Sequence, residues 1–225
     1  MIALSGRVNK ILESHLNLEH TEYRTYSKLS IWDHGADPSE PIVVRKARGL
    51  KLLLDKTPAI IMDDELLIGQ RTLYGQVVEG ENVLRGTYLL PVNPATDHKK
   101  AFYASYLTDE EVTEAHKYGI LEGAYTSHVP FGTAMILELG LGGIKQKAID
   151  RMGPDNTRSQ NDFLDAVVIS FDAISDFIGK HADEARRLAE LTGDKVRRGE
   201  LLKMAESIDR ITTGPATNFY DAVQM

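Results

Sequence analysis

A long amphipathic pattern, which runs from Asp162 to Leu188, constrains the fold of this chain more than any other feature of its sequence. At about 100° per residue, its apolar residues fall on one side of a helix: Phe163, Val167, Phe171, Ile174, Ile178, Ala185 and Leu188. The other side carries aspartates: Asp162, Asp165, Asp172, Asp176 and Asp183. Calcium loops separate their ligands with glycine turns, and this stripe does not, so it indicates a solvated outer face. The pattern therefore predicts one long helix in a mainly α protein.

Helical spacing and capping residues predict further helices on both sides of this one. The expected ranges are Ser5–His15, Glu19–Ile31, Val43–Leu54 and Lys195–Ile211, with another helix beginning at Thr108 and a last one capped by Thr217. Thr108 and Glu111 have the spacing of a capping box. The stripe expected to face inward in the third helix is Val43, Ala47, Leu50 and Leu54. In the helix Lys195–Ile211 it is Leu201, Met204, Ala205, Ile208 and Ile211.

Two short apolar runs, residues 59–62 and 66–68, break the helical period. They flank Asp63, Asp64 and Glu65, a pattern typical of a β-hairpin. Adjacent acids on a strand do not point the same way, and aspartate is a good turn residue, so a turn is favoured over an acid/base pair or a metal site. The following stretch, residues 70–97, is irregular and contains several glycines and prolines.

A glycine cluster, residues 140–143, has two interpretations. It could be a phosphate-binding loop, but the dinucleotide-binding spacing would require glycine at Lys145. The apolar residues around it favour a helix whose glycines permit close packing.

Composition excludes several classes of function. The 225 residues contain no cysteine, which excludes disulfides, thiolate–metal sites and thiol catalysis by this chain. The net charge is -7 at pH 7, which disfavours nucleic acids and anionic membrane surfaces as partners, since both attract Lys and Arg. The seven histidines lack metal-binding spacing, so no metal site is predicted. No apolar run approaches the roughly 18 residues of a membrane helix, and the cytoplasm is the expected location.

One histidine, His128, has a sequence context that suits a pocket. It lies in the segment SHVPFG, residues 127–132, just before a predicted helix. A histidine on such a loop can act as a hydrogen-bond or proton-transfer partner. From these residues alone, a histidine that merely orders the loop is the favoured interpretation.

Several sequence blocks together resemble the N-terminal part of glycyl radical enzymes of the pyruvate formate-lyase type. The basic helix VRKARGL, residues 44–50, leads to TPAIIMDDELLIGQRT, residues 57–72, which is similar to the family pattern "(I/P)xIxxDELIVGN". His128 with Pro130, followed by LGLGGI at residues 139–144, resembles the block "GH…P…LxxGLxGI". The helices after residue 163 resemble the family's long helix and the two that follow it. The resemblance covers nearly the whole chain.

The resemblance implies a helical N-terminal segment of an α/β barrel enzyme and a mechanism for the parent enzyme. An activating enzyme with S-adenosylmethionine and an iron–sulfur cluster forms a glycyl radical, which oxidises a cysteine to a thiyl radical that attacks the substrate. Members cleave C–C, C–O, C–N or C–S bonds, or add fumarate to hydrocarbons. They are several times longer than this chain, which has neither the cysteine nor the radical-glycine motif.

The resemblance also implies which residues border a substrate pocket. His128 matches the histidine of the "GH" block, although Ser127 replaces the usual glycine. Gln70 and Arg71 follow the "VGN" position. We therefore expect these three residues to bind substrate, and we expect no catalytic residue in this chain.

These patterns predict a single N-terminal part of a pyruvate formate-lyase-like domain over residues 1–225. Residues 1–57 are expected to be helical, 58–97 to form the hairpin and an irregular loop, and 98–225 to be helical. Because the last predicted helix reaches Met225, the chain is expected to be a fragment. Because it lacks the cysteine and the radical-glycine motif of the family, it is expected to be inactive alone. Its expected partners are the rest of the enzyme, in the same or a separate chain, the activating enzyme and further copies of itself. The alternative is a non-catalytic helical binding or scaffold protein derived from the family.

Overall fold

The described part of the chain is helical. The computed structural model describes residues 5–16, 31–56, 59–68, 107–118 and 132–225. Its helices are α1 (Gly6–Leu16), a 3-10 helix (Ile31–His34), α2 (Ile42–Lys56), α3 (Asp109–Lys117), α4 (Thr133–Ile149), α5 (Arg158–Leu191), α6 (Lys195–Thr213) and α7 (Phe219–Gln224). These ranges contain no strand. The helix predicted over residues 19–31, apart from Ile31, and the irregular stretch predicted over residues 70–97 lie outside the described residues.

The long helix α5 confirms the amphipathic pattern but begins four residues before its predicted start. Thr157 caps it, since its hydroxyl accepts from the backbone N–H of Gln160, and the Gln160 side chain accepts from the N–H of Thr157. This capping box fixes the start of the helix. A second box, between Thr108 and Glu111, begins α3 as the sequence predicts.

Small side chains form the buried face of α5. The residues most removed from solvent are Ala166, Ala173, His181, Ala182, Ala185 and Ala189. The helix packs against α2, α4 and α6, and its alanines let the neighbouring helices approach closely. Phe163, predicted to point inward, is exposed, and the residues buried in the first half of α5 are Ala166 and Ala173 instead.

The main core lies between α5 and α6. All five residues predicted to face inward from α6 are buried: Leu201, Met204, Ala205, Ile208 and Ile211. Most of them pack against the alanines in the second half of α5 and against Ile61 and Ile68. In α2 the buried face is rotated from the predicted stripe, since Val43 is exposed and Val44, Arg45 and Ala47 are buried.

The predicted β-hairpin over residues 59–68 is wrong. Residues 62–65 form a turn, closed by the N–H of Glu65 bonding to the carbonyl of Met62, but the two apolar runs do not pair as strands. Ile61 and Ile68 insert instead into the core between α5 and α6. Side chains of α6 and α7 bond to backbone groups of this segment. These groups are therefore paired without a partner strand. The expectation of a turn at Asp63 and Asp64 is confirmed.

Helix α4 is kinked at Gly140, which confirms the packing interpretation of the glycine cluster. Gly140 has φ 66° and ψ 177°, outside the helical region. A Cβ atom built on Gly140 would lie 1.9 Å from the carbonyl oxygen of Gly214, and one on Gly142 would lie 2.5 Å from that of Thr213. Real Cβ atoms essentially never approach backbone that closely, so only glycine lets α4 pack against the end of α6.

The aspartate face of α5 is solvated and partly paired with lysines. Lys145 of α4 bonds to Asp172 at 2.6 Å, and Lys51 of α2 bonds to Asp176 at 3.3 Å. Within the ranges the structure describes, no group of histidine, aspartate and glutamate could hold a metal ion. None of the helices in those ranges is long and apolar enough to cross a membrane.

His181, in the buried face of α5, makes stability depend on pH. Its Nδ1 lies 3.0 Å from the carbonyl oxygen of Phe177, and burial, followed by the charge of Lys180, lowers its pKa. A lowered pKa means that the unfolded chain binds a proton more readily than the folded one. We expect the free energy of unfolding to fall as the pH drops below about 6.5, the unfolded value. Urea titrations from pH 7.5 to 5 should show a shallower dependence for His181→Gln.

Candidate functional site

The three predicted site residues, Gln70, Arg71 and His128, lie outside the described residues. The structure does describe the chain on the N-terminal side of Gln70, up to Ile68, and the helix that begins after His128, at Thr133. Helix α4 is fixed by its glycine contacts with α6. The contacts that hold residues 62–68 therefore fix the described part of the chain that is nearest in sequence to Gln70.

Arg197 of α6 binds the turn that replaces the predicted hairpin. Its guanidinium donates to the carbonyl oxygen of Met62 at 2.9 Å and to that of Glu65 at 2.5 Å. The Glu65 carboxylate accepts from the N–H of Met62 at 2.9 Å. Burial raises the pKa of Glu65, and this hydrogen bond and the charge of Arg197 oppose that rise. Glu65 thus has a structural role in the turn.

Helix α7 holds the end of the same segment. The Gln224 amide accepts from the N–H of Ile68 at 2.8 Å and donates to the carbonyl of Ile68 at 2.7 Å. The Tyr220 hydroxyl donates to the carbonyl of Leu66. The Lys203 ammonium lies 4.3 Å from the centre of the Tyr220 ring. Residues 62–68, Arg197 and α7 together form one unit, which we call the clamped segment.

A buried carboxylate fixes α7 on α6. The Asp221 side chain has no exposed surface and accepts from Ser207 at 2.6 Å and from Arg210 at 2.9 and 3.1 Å. It also accepts from the hydroxyl of Thr217 at 2.7 Å. These hydrogen bonds, that of Arg210 above all, hold the pKa of Asp221 far below its ordinary value. Asp221 is therefore ionised at all physiological pH values.

The predicted cap of the last helix is wrong by one residue. Asn218 caps α7, since its side chain accepts from the N–H of Asp221. Thr217 donates its hydroxyl to Asp221 instead. The two residues share the usual chemistry of an N-cap, and the side chains of both also donate to the Asp221 carboxylate.

A buried arginine, which the sequence analysis did not single out, joins α2 to α3. The Arg45 guanidinium donates to both carboxylate oxygens of Glu111, at 2.7 Å for one of them, and to the carbonyl of Glu40 at 2.9 Å. It also lies 5.5 Å from the centre of the Trp32 ring. The bond from Arg45, more than any other contact, lowers the pKa of Glu111. Arg45 lies within a run of basic residues, so its sequence context does not indicate that its side chain is buried.

We expect Arg45→Lys to lower the free energy of unfolding by about 2 kcal/mol, because lysine lacks the planar fork that binds both oxygens of Glu111. Arg48→Lys is the matched control on the same helix. Arg48 is exposed and bonds to Glu40 at 3.1 Å, so its loss should cost no more than about 0.5 kcal/mol. Equal losses in urea titrations would contradict the role assigned to Arg45.

A charged cleft lies between the 3-10 helix and α2. It has a volume of about 470 Å³ and is lined by His34, Asp37, Glu40, Arg48, Lys51 and Asp55, among others. Arg48 pairs with Glu40 and Lys51 pairs with Asp55. Four of the charged residues that line this cleft are therefore already paired with one another.

Comparison with known proteins identifies the family. The model of the family described as "Pyruvate formate lyase-like" matches residues 90–225, which is more than half of the chain. The chain belongs to the pyruvate formate lyase-like family. Among the curated relatives, an isethionate sulfite-lyase of Bilophila wadsworthia is 26% identical over 232 aligned positions, which cover 82% of this chain and 28% of that relative.

Two solved structures have the same fold as this chain. A structure on 1,2-propanediol dehydration in Roseburia inulinivorans matches 99% of this chain and 32% of its own length, with a TM-score of 0.72 and 24% identity. A glycyl radical enzyme from Archaeoglobus fulgidus matches 97% of this chain and 32% of its own length, with a TM-score of 0.69 and 19% identity. The chain thus spans about a third or less of the length of this curated relative and of these two solved proteins.

Proposed function

We propose that this chain is the helical N-terminal part of a glycyl radical enzyme that acts as a lyase, dehydratase or acyltransferase on a small organic molecule. The match to the pyruvate formate lyase-like family over residues 90–225 is the observation that carries this proposal. The relatives support it, since one is a sulfite-lyase and another structure concerns a diol dehydration. The chain has no cysteine, so the thiyl radical must form on a part of the enzyme outside this sequence.

The residues of this chain do not fit the radical chemistry itself. The family implies a glycyl radical, which an activating enzyme that contains an iron–sulfur cluster installs with S-adenosylmethionine. Neither the cysteine nor the radical-glycine motif is in this sequence. We infer that this chain acts only with the remaining catalytic part of the enzyme, in the same or a separate chain, and with the activating enzyme, and that it has no turnover alone.

The role we assign to this chain is to form part of the pocket wall. His128, Gln70 and Arg71 are the residues proposed to contact substrate. In the complete enzyme we expect His128→Gln to reduce kcat/KM at least about tenfold, with the radical signal unchanged. A variant with an unchanged kcat/KM would remove His128 from the proposed pocket.

The decisive experiment is electron paramagnetic resonance after anaerobic activation. The chain alone, treated with an activating enzyme, S-adenosylmethionine and a reductant, should give no glycyl radical signal. The same treatment of the chain together with the polypeptide encoded beside it should give that signal. A signal from the chain alone would contradict the proposal, and so would a neighbouring polypeptide without a cysteine and radical-glycine motif.

The alternative function is a non-catalytic helical binding or scaffold protein derived from the family. The core between α5 and α6 favours it, because nine buried residues complete this core within the described part of the chain. A stable, folded chain that binds a partner and never supports a radical signal would select this function over the first.

A further inference from the structure

Helix α1 is connected to α6 and to the turn at residues 62–65 through the side chain of Arg7. The Arg7 guanidinium lies 2.8 and 3.0 Å from the two carboxylate oxygens of Glu200 on α6. It also lies 3.9 Å from the carboxylate of Asp64 in the turn. Within the described ranges, these contacts are the ion pairs between α1 and other elements. Arg7 therefore links α1 to two elements at once.

The other side chains of α1 contribute little buried area. Among residues 5–13, Arg7 is partly buried and all the others are exposed. The exposed residues include the apolar ones, since Val8 is 44% exposed, Ile11 42% and Leu12 45%. The hydrophobic effect is proportional to the apolar area removed from water, so it holds α1 only weakly. A helix of 11 residues is also marginally stable in water by itself. The helical conformation of α1 therefore depends on its attachment.

The core of the described chain does not require α1. No described residue of α1 belongs to either group of buried apolar residues. The turn has its own support, because Arg197 donates to the carbonyl oxygens of Met62 and Glu65. Arg197 also bonds to Glu200 at 3.2 Å, so Glu200 keeps a partner if Arg7 leaves. Detachment of α1 thus breaks an ionic link and leaves the core intact.

We propose that α1 is an ionic strap, which attaches to α6 and to the turn through Arg7 and detaches as a unit while the core between α5 and α6 stays folded. This inference does not depend on the proposed function. The side chains of Arg7 and Glu200 are both partly exposed, so dissolved salt can screen their charges. Detachment exposes more of the Asp64 and Glu200 carboxylates, and the strap therefore controls access to this acidic surface.

Hydrogen exchange of the whole chain, followed by mass spectrometry, tests the strap. The readout is the protection of the backbone amides of residues 9–16 in sodium chloride at about 0.1 M and about 1 M, between which the Debye length falls from about 10 to about 3 Å. Exchange should be about two- to fivefold faster at the higher concentration, the range expected for loss of a partly exposed ion pair. Residues 62–68 and 201–211 should keep their protection in both.

Arg7→Gln removes the ionic link without added salt. It should accelerate the exchange of residues 9–16 by a similar factor, and it should abolish the response to salt, because the pair that salt screens is absent. Lys10→Gln is the matched control, since Lys10 is exposed on the same helix and its replacement removes the same charge. In Lys10→Gln, residues 9–16 should exchange as they do in the original chain at both salt concentrations.

Three results would overturn the strap. Equal exchange in Arg7→Gln and Lys10→Gln would show that other contacts hold α1. Loss of protection that extends to residues 201–211 would show that α1 is part of the core. Residues 9–16 without protection in the original chain at low salt would show that α1 is not attached. If circular dichroism shows that Arg7→Gln does not fold, the salt response of the original chain decides, and exchange that salt does not change would overturn the proposal.

Discussion

Replacement of Asp221 by asparagine is expected to lower the free energy of unfolding by about 3 kcal/mol, the size of effect seen when a buried charge pair loses one partner. The Asp221 carboxylate is fully buried and accepts from Ser207, Arg210 and Thr217. An amide has the same shape but turns an N–H₂ group toward these donors. Urea denaturation followed by circular dichroism measures the loss. A loss below about 1 kcal/mol would show that Asp221 does not fix α7.

Asp209→Asn is the matched control on α6. Asp209 is exposed and pairs with Arg186 at the surface, and such a pair contributes at most about 1 kcal/mol.

The free energies of unfolding of the two variants should also depend differently on pH in acid solution. The pKa of Asp221 is lowered in the folded state, so its contribution is complete above about pH 4, the unfolded value, and is lost as the pH falls further. Asp221→Asn should therefore show a weaker dependence on pH below 4 than Asp209→Asn.

Replacement of Gly140 by alanine is expected to cost about 3 kcal/mol or more. The new Cβ would lie 1.9 Å from the carbonyl oxygen of Gly214, so the ends of α4 and α6 must separate. Gly140 also has φ 66° and ψ 177°, a backbone region that is essentially restricted to glycine, so a residue with a side chain there adds a cost of about 1 to 3 kcal/mol. Overpacking of this kind costs about 1 to 3 kcal/mol by itself. Thermal and urea denaturation of the variant measure the effect.

Gly179→Ala supplies a control with the opposite expected sign. Gly179 lies inside α5, and a Cβ there would meet nothing within 4 Å. Alanine in a helix interior is favoured over glycine by up to about 1 kcal/mol, so this variant should be more stable than the original chain. If both variants lose stability equally, the cost at Gly140 does not come from its contact with Gly214.

The helical part of the fold could be predicted because it depends on local patterns. The inward residues of α6 repeat at helical spacing, and all five are buried as expected. The capping box of Thr108 and Glu111 is contained within four residues of sequence. Phe163 shows the limit of this reasoning, since its spacing is correct and its exposure depends on where the neighbouring helices lie.

The conformation of residues 59–68 could not be predicted, because it depends on contacts with distant parts of the chain rather than on local patterns. Its apolar runs match a hairpin, but Arg197 and Gln224, more than 130 residues away in sequence, bind its backbone. Arg45 and Asp221 are similar cases, because partners of each lie on other helices. The candidate site residues came from resemblance to a family, and Gln70, Arg71 and His128 remain predictions.

The contacts of the clamped segment also bear on association between chains. An extended segment at a surface normally offers unpaired N–H and C=O groups, to which a strand of another molecule can add. Here the carbonyls of Met62, Glu65, Leu66 and Ile68, and the N–H groups of Met62 and Ile68, are already bonded to side chains of the same protein. These bonds therefore leave fewer backbone groups in residues 62–68 to which a strand of another molecule could add.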